Sequence, residues 1–221
     1  MILKIPYISD PIEFKEGKIP VLIIENPKVL SNTILDFLSQ KNGAEGETVF
    51  SENYKPLNFK KDIEIITDPF SVDLNSKKII NKTIEHLSSI AVTDCLEDTN
   101  KINSELEKYA DDLIEKVNLP LEIPEILDIS PFLKAMGICY DFKNLSLVEK
   151  LIEYIKLLTY LFDIKCFVIL NLKEYLEKDE LSKFYRELFL EKINCLIIEP
   201  SNKYILPEEK VTILDKDLCV L

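Results

Sequence analysis

The sequence predicts an α/β protein whose α/β part is split in two by an all-helical insertion. Three observations predict it. Continuous apolar runs of strand length occur near both ends, at Ile19–Ile24, Cys166–Leu170 and Cys195–Ile198; such runs mark strands buried on both faces. Helical periodicity of three and four residues fills the middle, from about Asn75 to Phe162. The composition is that of a globular chain with a real core: 221 residues, 47% apolar and 30% charged. This excludes bulk disorder, and four glycines exclude collagen-like and low-complexity classes.

The elements follow in order. Ile2–Ile8 reads as a strand stopped at Asp10-Pro11, and Ile19–Ile24 as a buried strand. Pro27 sits in a helix's first turn, where proline is tolerated, and Val29, Leu30, Thr33, Ile34, Phe37 and Leu38 continue that helix. Lys41–Glu47 is a surface loop, Glu47–Phe50 a short strand and Asp62–Thr67 another, ending at Asp68-Pro69. Asn75 is the expected N-cap of a helix marked by Ile79, Ile80, Thr83, Ile84 and Leu87. Ile102, Leu106, Tyr109, Leu113 and Val117 mark a second helix, ended by Pro120 and Pro124. A short helix starts at Ser130-Pro131 and stops at Gly137, a C-cap glycine. A long helix runs from about Ser146 to Phe162. The end returns to strand (Cys166–Leu170), helix (Lys178–Ile193) and strand (Cys195–Ile198), with Val211–Leu214 and Leu218–Leu221 as a closing hairpin. The expected domains are residues 1–75 and 161–221 for the α/β part and 76–160 for the helical part.

Charge narrows the function classes. There are 27 basic against 39 acidic side chains, a net charge of −12, so any DNA-binding charge must be collected on one face. Residues 94–128 alone hold eleven acids against three lysines. They are either a solvated helix face or a stretch that gathers a hard cation, which needs several carboxylate oxygens. Arginine occurs once, at Arg186, which argues against bidentate reading of guanine. Histidine occurs once, at His86 in a helical pattern, too few for multi-imidazole zinc chemistry. The five cysteines form no C-x-x-C pair, and Cys166 and Cys195 open apolar runs. We therefore expect a reducing, cytoplasmic setting. No secretory pattern precedes Ser9, and Leu145–Phe162 carries four charges, so no membrane span is expected.

The candidate chemistry is sparse. The turn after Ile19–Ile24 is where a P-loop enzyme carries its glycines. Here it reads Glu25-Asn26-Pro27-Lys28, with no glycine and one amide donor missing. Asp68 and Glu199 sit at strand ends, where metals are often held and where Asp-Pro and Glu-Pro also simply start turns. Asp163-Ile164-Lys165 matches a fragment of a nuclease signature. Glu122, Glu125 and Asp128, three residues apart, can turn carboxylates toward one point. Lysines cluster at Lys60-Lys61 and at Lys77, Lys78 and Lys82, with Lys78 and Lys82 on one helical face; they serve solubility or a ligand.

The order of segments resembles the Csn-two family, the small accessory protein of type II-A CRISPR systems, in its short form. The resemblance rests on "IPVLIIENPKVLSNTILDFLSQ" (Ile19–Gln40), "IEIITDPFSVDLNSKKIINKTIEHL" (Ile63–Leu87), "FLKAMG" (Phe132–Gly137), and "FVILNLKEYLEKDELSKFYRE" with "NCLIIEP" (Phe167–Glu187, Asn194–Pro200). It implies a P-loop-ATPase-like α/β head lacking the nucleotide site, with an inserted helical leg. It implies a ring-shaped homotetramer that encloses double-stranded DNA, enters at free ends and slides without sequence preference. It implies calcium near the head–leg junction, and a non-catalytic role in spacer acquisition for antiviral defence beside the integrase proteins and the RNA-guided effector nuclease. The acidic calcium-binding stretch falls on Leu121–Pro131, so the expected Ca2+ ligands are Glu122, Glu125 and Asp128, the first two preferred. The expected DNA-binding lysines are Lys77, Lys78, Lys82 and Lys134. Two other classes stay open, a metal-dependent nuclease using Asp68 and a purely protein-binding scaffold.

Overall fold

The apolar runs from both ends of the chain meet in one sheet. The computed structural model describes residues 1–117, 119–123 and 128–221. The chain divides into two compact units, residues 1–73 with 142–221, and residues 74–141.

The first unit is mixed α/β. Its main sheet is built from β3 (Ile19–Ile24), β6 (Ile63–Ile66), β7 (Cys166–Leu170), β8 (Asn194–Glu199) and β9 (Glu209–Leu214). The strand order is β6-β7-β8-β3-β9 and every pairing is parallel. A second, antiparallel sheet is ordered β2-β1-β4-β5, from β1 (Ile2–Lys4), β2 (Ile12–Glu13), β4 (Val49–Glu52) and β5 (Lys55–Pro56). The two sheets share a core with α1 (Pro27–Lys41) and α2 (Phe59–Asp62). Leu22, Ile24, Val168, Leu170, Leu196 and Ile198 reach it from one face of the main sheet, at period two. Phe37, Phe50 and Phe59 close it as an edge-to-face triangle, centroids 5.4–6.0 Å apart. The alternate residues Val21, Ile23, Phe167, Ile169 and Ile197 are as fully buried, so the main sheet is covered on both faces. Packed on each other, α6 (Leu147–Phe162) and α7 (Lys178–Leu190) contribute Leu151, Ile155, Leu158, Leu181, Phe184 and Leu188 to the buried set.

The second unit holds α3 (Lys77–Thr93), α4 (Leu96–Ile114) and α5 (Ser130–Ala135). Among the described residues it buries only four apolar side chains, Leu74, Ile79, Ile84 and Ile129. Gly137 follows α5 at φ +69°, the left-handed position expected of a terminating glycine.

Several local expectations change. The first strand ends at Lys4, because Pro6 lacks an N–H and Ile5–Ile8 closes a turn, Ile8 N–H onto the Ile5 carbonyl at 3.1 Å. Asn75 does not cap α3; Ser76 holds that position. Asn75 instead clamps Tyr140, donating to its carbonyl at 3.0 Å and accepting its N–H at 2.7 Å. The final hairpin is subordinate to a longer strand. β9 pairs along its length with β3, and the tail returns through a single bridge, Leu214 to Val220. The helical part, expected to reach residue 160, ends before α6, which groups with the sheet. The physical reason is the apolar stripe of α6, Val148, Leu151, Ile152, Ile155 and Leu158, all buried. A capping box at Ser146 and Glu149 starts that helix, and the Ser146 N–H and hydroxyl hold the Glu149 carboxyl down to about 2.

Candidate functional site

The turn between β3 and α1 carries no phosphate cradle. Asn26 Oδ1 accepts the Lys28 and Val29 N–H groups at 3.1 and 3.2 Å, Pro27 has no N–H, and Asn26 Nδ2 donates to the Lys216 carbonyl at 3.1 Å. The first-turn donors that would meet a phosphate are thus taken by the protein's own side chain.

The carboxyl ends of the strands hold carboxylates in structural roles. Asp68 Oδ1 accepts the Phe70 N–H at 2.9 Å and so forms the turn into residues 69–71. Asp163 ends α6 in the left-handed conformation, φ +55°, and pairs with Lys165 at 2.6 Å. The nuclease-like triplet is therefore a helix end with an exposed ion pair. Glu199 ends β8 almost fully buried, accepting the Lys173 N–H at 2.8 Å. Burial pushes its carboxyl up to about 7, against the pull of that hydrogen bond and of the Lys173 charge.

Lys173 itself went unseen in the sequence. Its ammonium is buried and donates to Glu209 Oε2 at 2.8 Å and to the Tyr204 carbonyl at 2.8 Å, lying 5.1 Å from the centre of the Tyr204 ring. Glu209 also accepts from the Tyr185 hydroxyl at 2.9 Å and the Leu206 N–H at 3.0 Å, so both charges are hydrogen-bonded. Burial raises the Tyr185 hydroxyl far above its ordinary range. Thirty-six residues separate Lys173 and Glu209, and no local pattern joins them.

The expected ligand residues lie in the helical unit. Lys77, Lys78 and Lys82 occupy the first two turns of α3, the first two exposed and Lys82 half-buried. Its exposed face also carries Asn81 and Glu85, and Lys82 pairs with Glu85 at 2.7 Å. No acid sits in the first turn, and Ser76 makes no side-chain cap there. Cations at a helix N-terminus oppose the helix dipole, at a cost of about 0.3–1 kcal/mol each at low salt. Lys77 and Lys78 in that first turn break a local rule for helix stability, while Lys82 stands in the second turn, where the dipole has faded. Lys134 is exposed in the last turn of α5, where a lysine suits the dipole.

The acidic stretch is less gathered. Glu122 and Asp128 are exposed, Asp128 Oδ1 accepting the Ser130 N–H at 2.8 Å, while Glu125 lies outside the described residues. Carboxylate oxygens are the right donors for a hard cation such as calcium, which takes six to eight oxygens. Among the described residues no three His, Cys, Asp or Glu side chains stand close enough to hold a metal ion. Buried Cys166 and Cys195 behave as small apolar side chains, their thiols pushed up by burial. No helix among the described residues is long and apolar enough to cross a membrane.

A family model described as CRISPR-associated protein (Cas_Csn2) matches residues 40–218. The CRISPR-associated protein Csn2 of Streptococcus agalactiae is 26% identical over 225 residues, covering 97% of this chain and 95% of that one. Among solved structures, cbiO1 from Clostridium perfringens, part of the ABC transporter complex cbiONQ, is similar at TM-score 0.48 and 14% identity. That alignment covers 94% of this chain and 77% of that one.

Proposed function

Because the chain belongs to the CRISPR-associated Csn2 family, we propose that it acts in CRISPR adaptation as a non-catalytic protein that grips double-stranded DNA ends without reading their sequence. The α/β unit is the P-loop-ATPase-like head, without a nucleotide site, and the helical unit the leg. Four copies close into a ring, and the duplex passes through a channel whose lysines include Lys77, Lys78, Lys82 and Lys134. Ca2+ is the cofactor, with Glu122, Glu125 and Asp128 as its ligands. It neutralises carboxylates that otherwise repel one another and the DNA. The partners are the duplex end, the integrase proteins and the RNA-guided effector nuclease.

The observation that carries this reading is the N-terminal half of α3. It sets exposed Lys77 and Lys78 in the first turn, at the positive end of the helix, and half-buried Lys82 in the second, where it pairs with Glu85. Lysine meets phosphate as a point charge and fixes no base-edge geometry, which suits holding any duplex. The net charge of −12 repels DNA from the remaining surface. The carboxylates weighed for a nuclease are engaged as turn formers and ion-pair partners, so that reading gains no supporting observation.

The charge-reversed variant Lys78→Glu/Lys82→Glu tests the reading. It should lose duplex retention at low salt while keeping the native mass of the assembly. Wild-type affinity in that variant would move the contact away from α3. Chelation should weaken retention, and unchanged affinity would remove calcium from the account.

A further inference from the structure

A cleft beside the first residue of β3 has no part in the reading above. It measures about 520 Å³ and is lined by residues 14–19, 188–189 and 192–194. Its rims are two tight turns. In one, the Lys18 N–H closes onto the Lys15 carbonyl at 3.1 Å, with Gly17 at φ +69°. The other is the end of α7. There the Ile193 N–H reaches the Leu188 carbonyl at 2.9 Å and the Lys192 N–H reaches the Phe189 carbonyl at 3.2 Å, with Lys192 left-handed at φ +55°. These turns set Lys15, Lys18 and Lys192 around an apolar floor in which Ile19 and Leu188 are buried and Phe14, Phe189 and Ile193 half-buried.

The charge of the rim is opposite to that of the molecule. Three lysines stand with two carboxylates, Glu16 on the rim and Glu13 beside Lys15, in a chain of net charge −12. Lys15 is held by an exposed pair with Glu13 at 3.1 Å, and Lys18 by the Pro207 carbonyl at 2.5 Å. The Lys15–Glu13 pair is exposed and screened by solvent, so it holds Lys15 only weakly against a better anion. We infer that this cleft docks an acidic peptide segment of a partner protein, with one apolar side chain on the floor and flanking carboxylates on Lys15, Lys18 and Lys192. The volume lies in the range of small-ligand pockets, about 300–1,000 Å³. A duplex would satisfy the lysines and leave the floor uncovered. A lipid surface is flat, and this site is concave between two turns.

The test uses the full chain and a fluorescein-labelled ten-residue peptide alternating Glu and Asp with Leu and Phe, read by fluorescence anisotropy. The peptide should bind, and a version with serine at the apolar positions, or lysine at the acidic ones, should bind about tenfold more weakly or worse. Lys15→Glu/Lys192→Glu should weaken the acidic peptide at least as much, with an unchanged melting temperature. Failure to bind the peptide would overturn the inference, as would equal affinity in the variant or for the serine peptide. So would displacement of the peptide by a linear duplex, or capture of phosphatidylglycerol vesicles through the same lysines in place of the peptide. A variant whose native mass changes while its peptide affinity does not would make the cleft a contact between copies, and would likewise overturn it.

Discussion

Lys173 in the α/β unit and Lys82 in the helical unit each stand against a glutamate at nearly the same distance, 2.8 and 2.7 Å. The first pair exposes 1% and 0% of its side chains, the second 37% and 68%. Burial changes what the same contact means. The Lys173–Glu209 charges are desolvated, hydrogen-bonded on both sides and part of the architecture. In the helical unit the Lys82–Glu85 charges are solvated, contribute little to folding and stay exchangeable. The core follows the same division, a sheet covered on both faces against four buried apolar side chains among the described residues of the helical unit. The α/β unit is held by its packing, and the helical unit leaves more of its charge in solvent.

The comparison is most exposed at Lys173. Lys173→Met leaves the Glu209 carboxylate buried with only the Tyr185 hydroxyl and Leu206 N–H, and should cost about 3–5 kcal/mol in chemical denaturation. Adding Glu209→Gln should recover much of it; additive losses would mean the pair is not a unit. Phe37→Ala opens the aromatic triangle and should cost a similar 3–5 kcal/mol. Glu199 comes next. The unfolded carboxyl loses its proton near its ordinary 4.5 and the folded one only near 7, so stability falls as pH rises across that window. Glu199→Gln should flatten that slope and exceed the wild type by about 2 kcal/mol at pH 8, as read by melting curves. A parallel pH dependence in the two proteins would assign it to other groups. Lys82→Ala should change stability by no more than about 0.5 kcal/mol. A larger loss would make this lysine structural and close the contrast between the units.

What was legible in the sequence was what local patterning carries. Ile19–Ile24, Cys166–Leu170 and the buried part of β8 are unbroken apolar runs, and α6 is a clean stripe behind a capping box. The turn without a phosphate cradle was legible for the same reason, since a missing glycine and a misplaced proline are properties of neighbouring residues. What stayed hidden is held by distant partners. Asn75 has the right residue type for a cap and is drawn to Tyr140 instead. β9 looks like half a hairpin until it pairs with a strand 190 residues earlier. β2, β5 and α2 are two to four residues long, too short for any period to register. At the candidate site the lysine cluster of α3 was visible, and so was its place at the helix start, since the cap expected at Asn75 lies one residue from the observed Ser76. Lys173 and Glu209 left no trace, because a buried ion pair is defined only by the fold that brings it together.

The central claim is that amines on the helical unit hold a duplex by charge inside a closed ring, and threading is its most direct consequence. Retention of a blunt linear fragment should be compared with that of a covalently closed circle of the same sequence, with calcium present, over a series of salt concentrations. The account predicts that the linear fragment is held and the circle is not, with log affinity falling against log salt by about 0.9 per neutralised phosphate. Equal retention of the two, or retention that ignores salt, would contradict it.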